Sequence, residues 1–217
     1  MRKNRRLNAF TMIEMLTVIA IIGILAGLLF PAISGAMKKA KVAQAKSDIS
    51  SIESALRAYY LEYGKWPNGN GTLNDISYGA FGSGPYAATA TYCPNYRLMN
   101  TLGAIADTDN DTGCGNGNNS ANPRKIAFLQ IPAKSQKPPN PAGPGNDFVD
   151  PWGHPYQITL DTDYDNICVN LAGTWVSNVP TPLGTGAGPG GVTNRTAVVW
   201  SFGIDGTGGT GDDITSW

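Results

Sequence analysis

One carboxylate stands where a carboxylate is costly. Glu14 lies near the start of an apolar run that opens Phe10-Thr11-Met12-Ile13-Glu14-Met15-Leu16 and stays uncharged from Met15 to Met37. A charge held in hydrocarbon costs roughly 2.5–3.5 kcal/mol on insertion scales, so an acid there needs a partner and points to a function. The chemistry open to it is ion pairing, which fixes how one helix sits beside another. Aspartates are the second chemical feature. From Trp66 onward the chain has twelve acids, all Asp, against six Lys and Arg. Before Trp66, ten Lys and Arg face four acids, so a formal net charge of zero hides halves of +6 and −6. Short-armed Asp among Gly and Asn suits turns and hard-cation loops better than helix interiors. There is no nucleophile–base set, no paired Glu and a single histidine, His154, so the residues argue against an enzyme. No basic patch suggests nucleic acid.

The elements that position these groups are legible. At ~1.5 Å per residue, the run from Met15 to Met37 is long enough to cross a hydrocarbon core of ~30 Å. Arg2, Lys3, Arg5 and Arg6 precede it, which keeps the N-terminus cytoplasmic and sends the rest outward. Two plainer readings compete: a secretory signal peptide cut near Ser34-Gly35-Ala36, and a simple signal anchor. Gly23 and Gly27 form a small-xxx-small face for close helix approach. Pro31 removes one helical hydrogen bond and predicts a local bend or melting. From Ala32 the pattern becomes amphipathic, with Ile49, Ile52, Leu56, Tyr59 and Tyr63 at three- and four-residue steps. Lys38, Lys39, Lys41 and Lys46 read as a solvated face. Gly64 and Trp66-Pro67 end the helix. Tyr59, Tyr60, Tyr63 and Trp66 then make an aromatic cluster facing the domain that follows.

The remainder reads as strand and loop. Expected strands are Pro155–Leu160, Ile167–Leu171 and Thr196–Phe202, with a short helix near Arg97–Ala106 or Arg124–Leu129. The fold class is α+β: one long N-terminal hydrophobic helix carrying a small C-terminal antiparallel sheet. The chain divides into a leader at 1–9, the helix at 10–64, a loop-rich region at 65–149 and a sheet region at 150–217. Three cysteines, Cys93, Cys114 and Cys168, allow three pairings. A Cys93–Cys114 bridge closes a loop of ~20 residues and contributes roughly 3 kcal/mol in the chain-entropy model. Asp107, Asp109 and Asp111 resemble half an EF-hand loop with its Gly one place late. Asp161, Asp163 and Asp165 read as a solvated turn. Trp175, Trp200 and Trp217 are either buried anchors or exposed binding aromatics.

Ala9-Phe10-Thr11-Met12-Ile13-Glu14-Met15-Leu16 resembles the cleavage and methylation motif of type IV pilins and type II secretion pseudopilins. The resemblance implies a prepilin peptidase that cuts between Ala9 and Phe10, with Ala9 where the family usually has Gly, and methylation of the Phe10 amine. That amine would pair with Glu14 of a neighbouring subunit, while Gly23 and Pro31 fall where family members often carry Gly and Pro. Asp150-Pro151-Trp152-Gly153-His154-Pro155-Tyr156 is similar to a turn of the major pseudopilin. So is the stretch from Ser201 to Ile214, which implies a calcium-binding loop with Asp205, Asp212 and Asp213 as ligands. What the resemblance implies is a single-pass inner-membrane protein with a periplasmic C-terminal domain. It would be stored in the lipid bilayer and assembled as a helical homo-oligomer with other pseudopilins on an inner-membrane platform. The alternatives are a type IV pilus pilin, for adhesion or DNA uptake, and a membrane-anchored binding protein with a pilin-like export signal.

Overall fold

The computed structural model describes residues 10–67, 75–79, 92–105, 121–138, 145–164, 166–169, 191–193, 195–206 and 210–217. Helix α1 runs from Met12 to Tyr63 and is continuous through Pro31, where the sequence predicted a local bend or melting. Its start is fixed by Thr11 and its end by Gly64. Gly64 takes φ +67° and donates its N–H to Tyr60 O at 2.8 Å. The chain separates into two units, one ending at Lys41 and one beginning at Val42.

In the first unit, α1 is uncharged from Met15 to Met37, between Glu14 and Lys38. Its apolar stretch has a mean hydropathy of 2.6 and none of it is buried within the chain, so by length and composition it can cross a membrane. An apolar helix stretch with none of its surface buried needs an apolar solvent or a partner.

In the second unit, α1 buries one stripe. Ala45, Ile49, Ile52, Ala55, Leu56 and Tyr59 are all buried, at the three- and four-residue steps of a single helix face. The sequence placed Ile49, Ile52, Leu56 and Tyr59 on that face correctly; Tyr63 is half-buried at its end. Lys46 on the other side is exposed. Tyr59 donates its hydroxyl to Ala121 O, and Tyr63 donates to Asn122 Oδ1 at 2.6 Å. Tyr59, Tyr63 and Phe128 stack with one another, and Tyr60 stacks on Trp66.

A five-stranded sheet packs on this stripe. Strands β1 (Ile76–Gly79), β2 (Tyr92–Pro94), β5 (Gln157–Leu160), β8 (Ala197–Ser201) and β9 (Ile214–Thr215) lie in the order β2-β1-β5-β8-β9. The β1–β2 pair is parallel and the others antiparallel, so the sheet is mixed where an antiparallel one was expected. Helix α2 (Asn95–Gly103) follows β2 directly and is the short helix expected near Arg97–Ala106, begun two residues earlier and ended three earlier. Residues 124–129 are not helical. Both β1 and β2 fall inside the stretch expected to be loop, because short strands flanked by Gly, Pro and Asn carry no usable period.

The register sorts the sheet into two faces. Ile76, Tyr78, Ile158, Leu160, Ala197 and Val199 share the face toward α1. Ser77 and Thr159 pair across the other face, their hydroxyl oxygens 2.9 Å apart. Val198 and Trp200 also lie there, with Cys168 from β6 (Ile167–Val169) against them. Strand β6 pairs with β7 (Gly191–Thr193) in a separate ribbon. Cover on both faces explains why β5 is buried at every residue.

Helix α2 is docked by polar groups. Strand β3 (Gln136–Lys137) pairs with β4 (Asp147–Phe148). Asn95 accepts the Phe148 N–H at 2.8 Å and donates to Tyr156 O at 2.6 Å. Asp147 Oδ1 accepts the Tyr96 N–H at 2.8 Å. Burial pushes the Asp147 carboxyl up to about 6, against the opposing pull of that N–H and of Lys137.

Two expectations follow. Leu56→Ala should cost about 2–5 kcal/mol in a guanidinium unfolding titration, whereas Ser51→Ala on the exposed side should stay within about 0.5 kcal/mol. Equal costs would sink the assignment of the buried stripe. The folded chain also holds the Asp147 proton more tightly than the unfolded chain, where Asp titrates near ~3.9. The stabilisation is therefore complete below that value and is lost as pH rises through about 6. Melting temperature should fall over this interval, and Asp147→Asn, which keeps an acceptor for Tyr96, should flatten the fall.

Candidate functional site

The first site is the head of α1. Thr11 N donates to Glu14 Oε2 at 2.8 Å and the Thr11 hydroxyl donates to the same oxygen at 2.7 Å. Glu14 N returns a 3.3 Å bond to the Thr11 hydroxyl oxygen. This is a reciprocal capping box, which satisfies backbone donors that a helix start leaves open. Glu14 thus has a role inside its own chain that its place in an apolar run did not announce. Its other oxygen, Oε1, accepts no hydrogen bond from the described residues and is open to solvent. Phe10 is exposed beside it, and Ala9 lies outside the described residues. A side chain built at Gly23 or Gly27 would meet nothing within 4 Å, so both leave bare helix surface in the single chain.

The second site joins two segments far apart in sequence. In the 150–156 turn, Asp150 Oδ1 accepts the N–H groups of Trp152 and His154, each at 2.9 Å. Gly153 N donates to Asp150 O at 3.0 Å, and Gly153 holds φ +96°, which only glycine adopts without strain. The other Asp150 oxygen accepts the buried Ser201 hydroxyl at 2.6 Å. Tyr156 is fully buried and donates its hydroxyl to Asp48 on α1 at 3.0 Å. Burial pushes the Asp48 carboxyl up, while the Tyr156 hydroxyl opposes the shift. Trp152 is half-buried against the same core, so both aromatics anchor the turn.

His154 carries the turn to the C-terminal loop. Its Nδ1 lies 3.2 Å from Gly203 O, and a Cβ at Gly206 would sit 2.6 Å from its Nε2. The only histidine of the chain thus packs on Gly206 and lies within hydrogen-bond distance of Gly203 O. Trp200 is buried against Trp217, with ring centroids 6.1 Å apart, and is an anchor; Trp175 lies outside the described residues.

The loop is organised by Asp212. Its Oδ2 accepts Ile204 N at 2.7 Å and Asp205 N at 3.1 Å, and its Oδ1 accepts the Thr210 hydroxyl at 2.7 Å. The Thr210 hydroxyl and these backbone N–H groups hold the Asp212 carboxyl below the ordinary carboxylate value. Asp213 Oδ2 accepts Thr210 N at 2.9 Å, and Asp205 is exposed. All three supply the hard oxygens that calcium takes. They are not, however, gathered within 4.8 Å of one another. Asp212 here pins the loop to itself instead of aiming at a shared point. Among the described residues, the carboxylates that are so gathered are Asp75, Asp161 and Asp163. Asp161 is wholly buried, where a solvated turn was expected; Asp165 lies outside the described residues. Sequence could not place Asp75 beside it, because only the β1–β5 register does so.

Cys93 is in a disulfide, and Cys168 is a buried thiol outside any disulfide. Cys114, like Asp107, Asp109 and Asp111, lies outside the described residues.

The prokaryotic N-terminal methylation motif matches residues 4–30 and the family of type II secretion system protein G matches residues 32–96. The spine of this chain is pilin-like. The pilin-like region is 42% identical over 65 residues to the type II secretion system core protein G of Aeromonas hydrophila, and 38% identical over 76 residues to that of Escherichia coli K12. It is 43% identical over 63 residues to the type IV major pilin protein PilE1 of Neisseria gonorrhoeae. These stretches are 30%, 35% and 29% of this chain, and 46%, 52% and 38% of the respective relatives. The chain therefore spans only about half or less of the curated relatives it matches. No solved structure matches significantly.

The contact between His154 and the glycine loop can be tested by a double-mutant cycle. Gly206 holds φ +68° with no room for a Cβ. Gly206→Ala should destabilise by about 1–3 kcal/mol in denaturant titration. In a His154→Ala background the clash disappears, and the cost should shrink to that of the backbone conformation alone. The same cost in both backgrounds would show that the two residues do not meet.

Proposed function

We propose that this protein is a structural subunit of a type II secretion pseudopilus. It is held in the inner membrane by α1, with residues from Val42 onward in the periplasm, and is then packed helix against helix into a short filament that moves protein outward. The observation that carries this reading is the succession of two matches, methylation motif at 4–30 then protein G at 32–96, along a helix that is uncharged from Met15 to Met37. The protein G match continues to residue 96, past the end of α1 and into α2. Relatives of both kinds match over similar lengths, and it is the family match at residues 32–96, to protein G, that favours the pseudopilin over the type IV pilin.

In this proposal a prepilin peptidase cuts between Ala9 and Phe10 and the new Phe10 amine is methylated. The partners are further copies of the chain, other pseudopilins and the inner-membrane platform. Glu14 Oε1 accepts the Phe10 amine of the neighbouring subunit while Oε2 goes on capping its own helix. Gly23 and Gly27 admit the close approach. The role is structural and not enzymatic. Calcium at the C-terminal loop belongs to the same proposal: Asp205, Asp212 and Asp213 would hold the ion, and it would supply the counter-charge these carboxylates need. What supports it is the donor chemistry of these three residues and the fixing of the loop by Asp150 and His154.

Two variants separate capping from pairing. Glu14→Gln keeps an acceptor for Thr11 and removes the charge; Glu14→Ala removes both. Both proteins should remain in the membrane fraction, and both should lose subunit cross-links and sheared filaments. Intact mass should give a chain beginning at methylated Phe10. Filaments formed normally by Glu14→Gln would sink the ion pair, and an intact Met1 would sink the processing pathway.

A further inference from the structure

We infer that Asp75, Asp161 and Asp163 form a divalent-cation site, calcium by its dimensions, that clasps the start of β1 to the exit of β5. One carboxylate oxygen from each residue lies within 4.8 Å of the others. Calcium holds oxygens at about 2.3–2.6 Å, so two ligands on opposite sides of one ion stand about 5 Å apart. Three oxygens gathered this closely fit a single calcium shell, with waters completing it.

Acid clusters on a surface often mean nothing, but this one has a buried member with an unmet need. Asp161 is completely buried. Its Oδ2 accepts the Asn166 N–H at 3.0 Å, whereas Oδ1, equally buried, accepts no hydrogen bond. No Lys or Arg among the described residues pairs with it. A buried ionised carboxylate without a counter-charge is strongly unfavourable. An ion between the three carboxylates supplies the counter-charge and meets the open oxygen.

The site lies where it can act on the fold. Asp75 immediately precedes Ile76, the first residue of β1, and Asp161 immediately follows Leu160, the last of β5; Ile76 and Leu160 are direct partners. Asp75 Oδ1 also accepts Thr162 N at 3.3 Å. The turn that bears Asp163 contains Tyr164 at φ +62° and Asn166 at φ +64°, and Tyr164 stacks near Tyr60 of α1 with centroids 6.5 Å apart. Binding would therefore fix the start of β1, the exit of β5 and the turn that carries Tyr164 together. The cluster does not use Asp205, Asp212 or Asp213 and stands independently of the C-terminal loop.

The test uses the full chain in detergent micelles, stripped with EDTA and titrated calorimetrically with calcium chloride. Asp163 is exposed, so Asp163→Asn should fold normally by circular dichroism while losing one calcium per chain or binding it at least tenfold more weakly. Asp161→Asn should also lose that calcium, and should melt no lower than the native chain in EDTA because a buried charge is gone. A double variant, Asp205→Asn with Asp212→Asn, should keep the affected binding event, which separates this site from the C-terminal loop. Native calcium stoichiometry and affinity in both Asp163→Asn and Asp161→Asn would overturn the proposal.

Discussion

The stripe of Ala45, Ile49, Ile52, Leu56 and Tyr59 on α1 determines where everything from Val42 onward can lie. A sheet whose strands are two to five residues long cannot stand alone, since short strands gain stability only by burying a face. Each inward residue of β1, β5 and β8 meets this stripe or its neighbours. The register of the sheet, and through it the position of every polar group at the strand ends, follows from that burial, because a slip of one residue would turn the apolar set outward. The tyrosines extend the same constraint into the loops: Tyr59 and Tyr63 bind residues 121–122, and Tyr156 binds Asp48.

Asp150 plays the equivalent part at the other end of the sheet. One oxygen closes its own turn, and the other holds Ser201 at the end of β8. Because Ser201 also receives the Gly203 N–H at 3.1 Å, the C-terminal loop begins from a fixed point. His154 and Asp212 then shape the loop from opposite sides, each against a glycine with no space for a side chain. A surface loop so tied is a rigid platform, which is what a filament contact or an ion site requires.

Periodicity made the helix legible, and its inward face could be named residue by residue because four long apolar side chains repeat at helical steps. Strands β5 and β8 were legible as runs of branched and aromatic residues. Strands β1 and β2 were not, since Ile76–Gly79 and Tyr92–Pro94 are too short to show alternation and end in Gly and Pro. Their parallel pairing is also invisible locally, as it depends on where the intervening chain returns. The anchoring of the 150–156 turn was readable from Pro, Gly and two aromatics. The gathering of Asp75 with Asp161 was not, because residues so far apart in sequence become neighbours only through strand register. The Thr11–Glu14 bond is present in the sequence as a Thr-x-x-Glu helix start, although the place of Glu14 in an apolar run points first to pairing between helices.

That helix start changes how the acid should be pictured. A carboxylate already bonded to its own Thr11 is a latch with a resting position, not a bare charge awaiting rescue. In the proposed function, a subunit not yet assembled would thereby keep part of its Glu14 carboxylate satisfied within its own chain. The second oxygen stays available, so engagement by a neighbour adds a bond without breaking one. In the proposed filament, recruitment and release of a subunit would then differ by that one added bond.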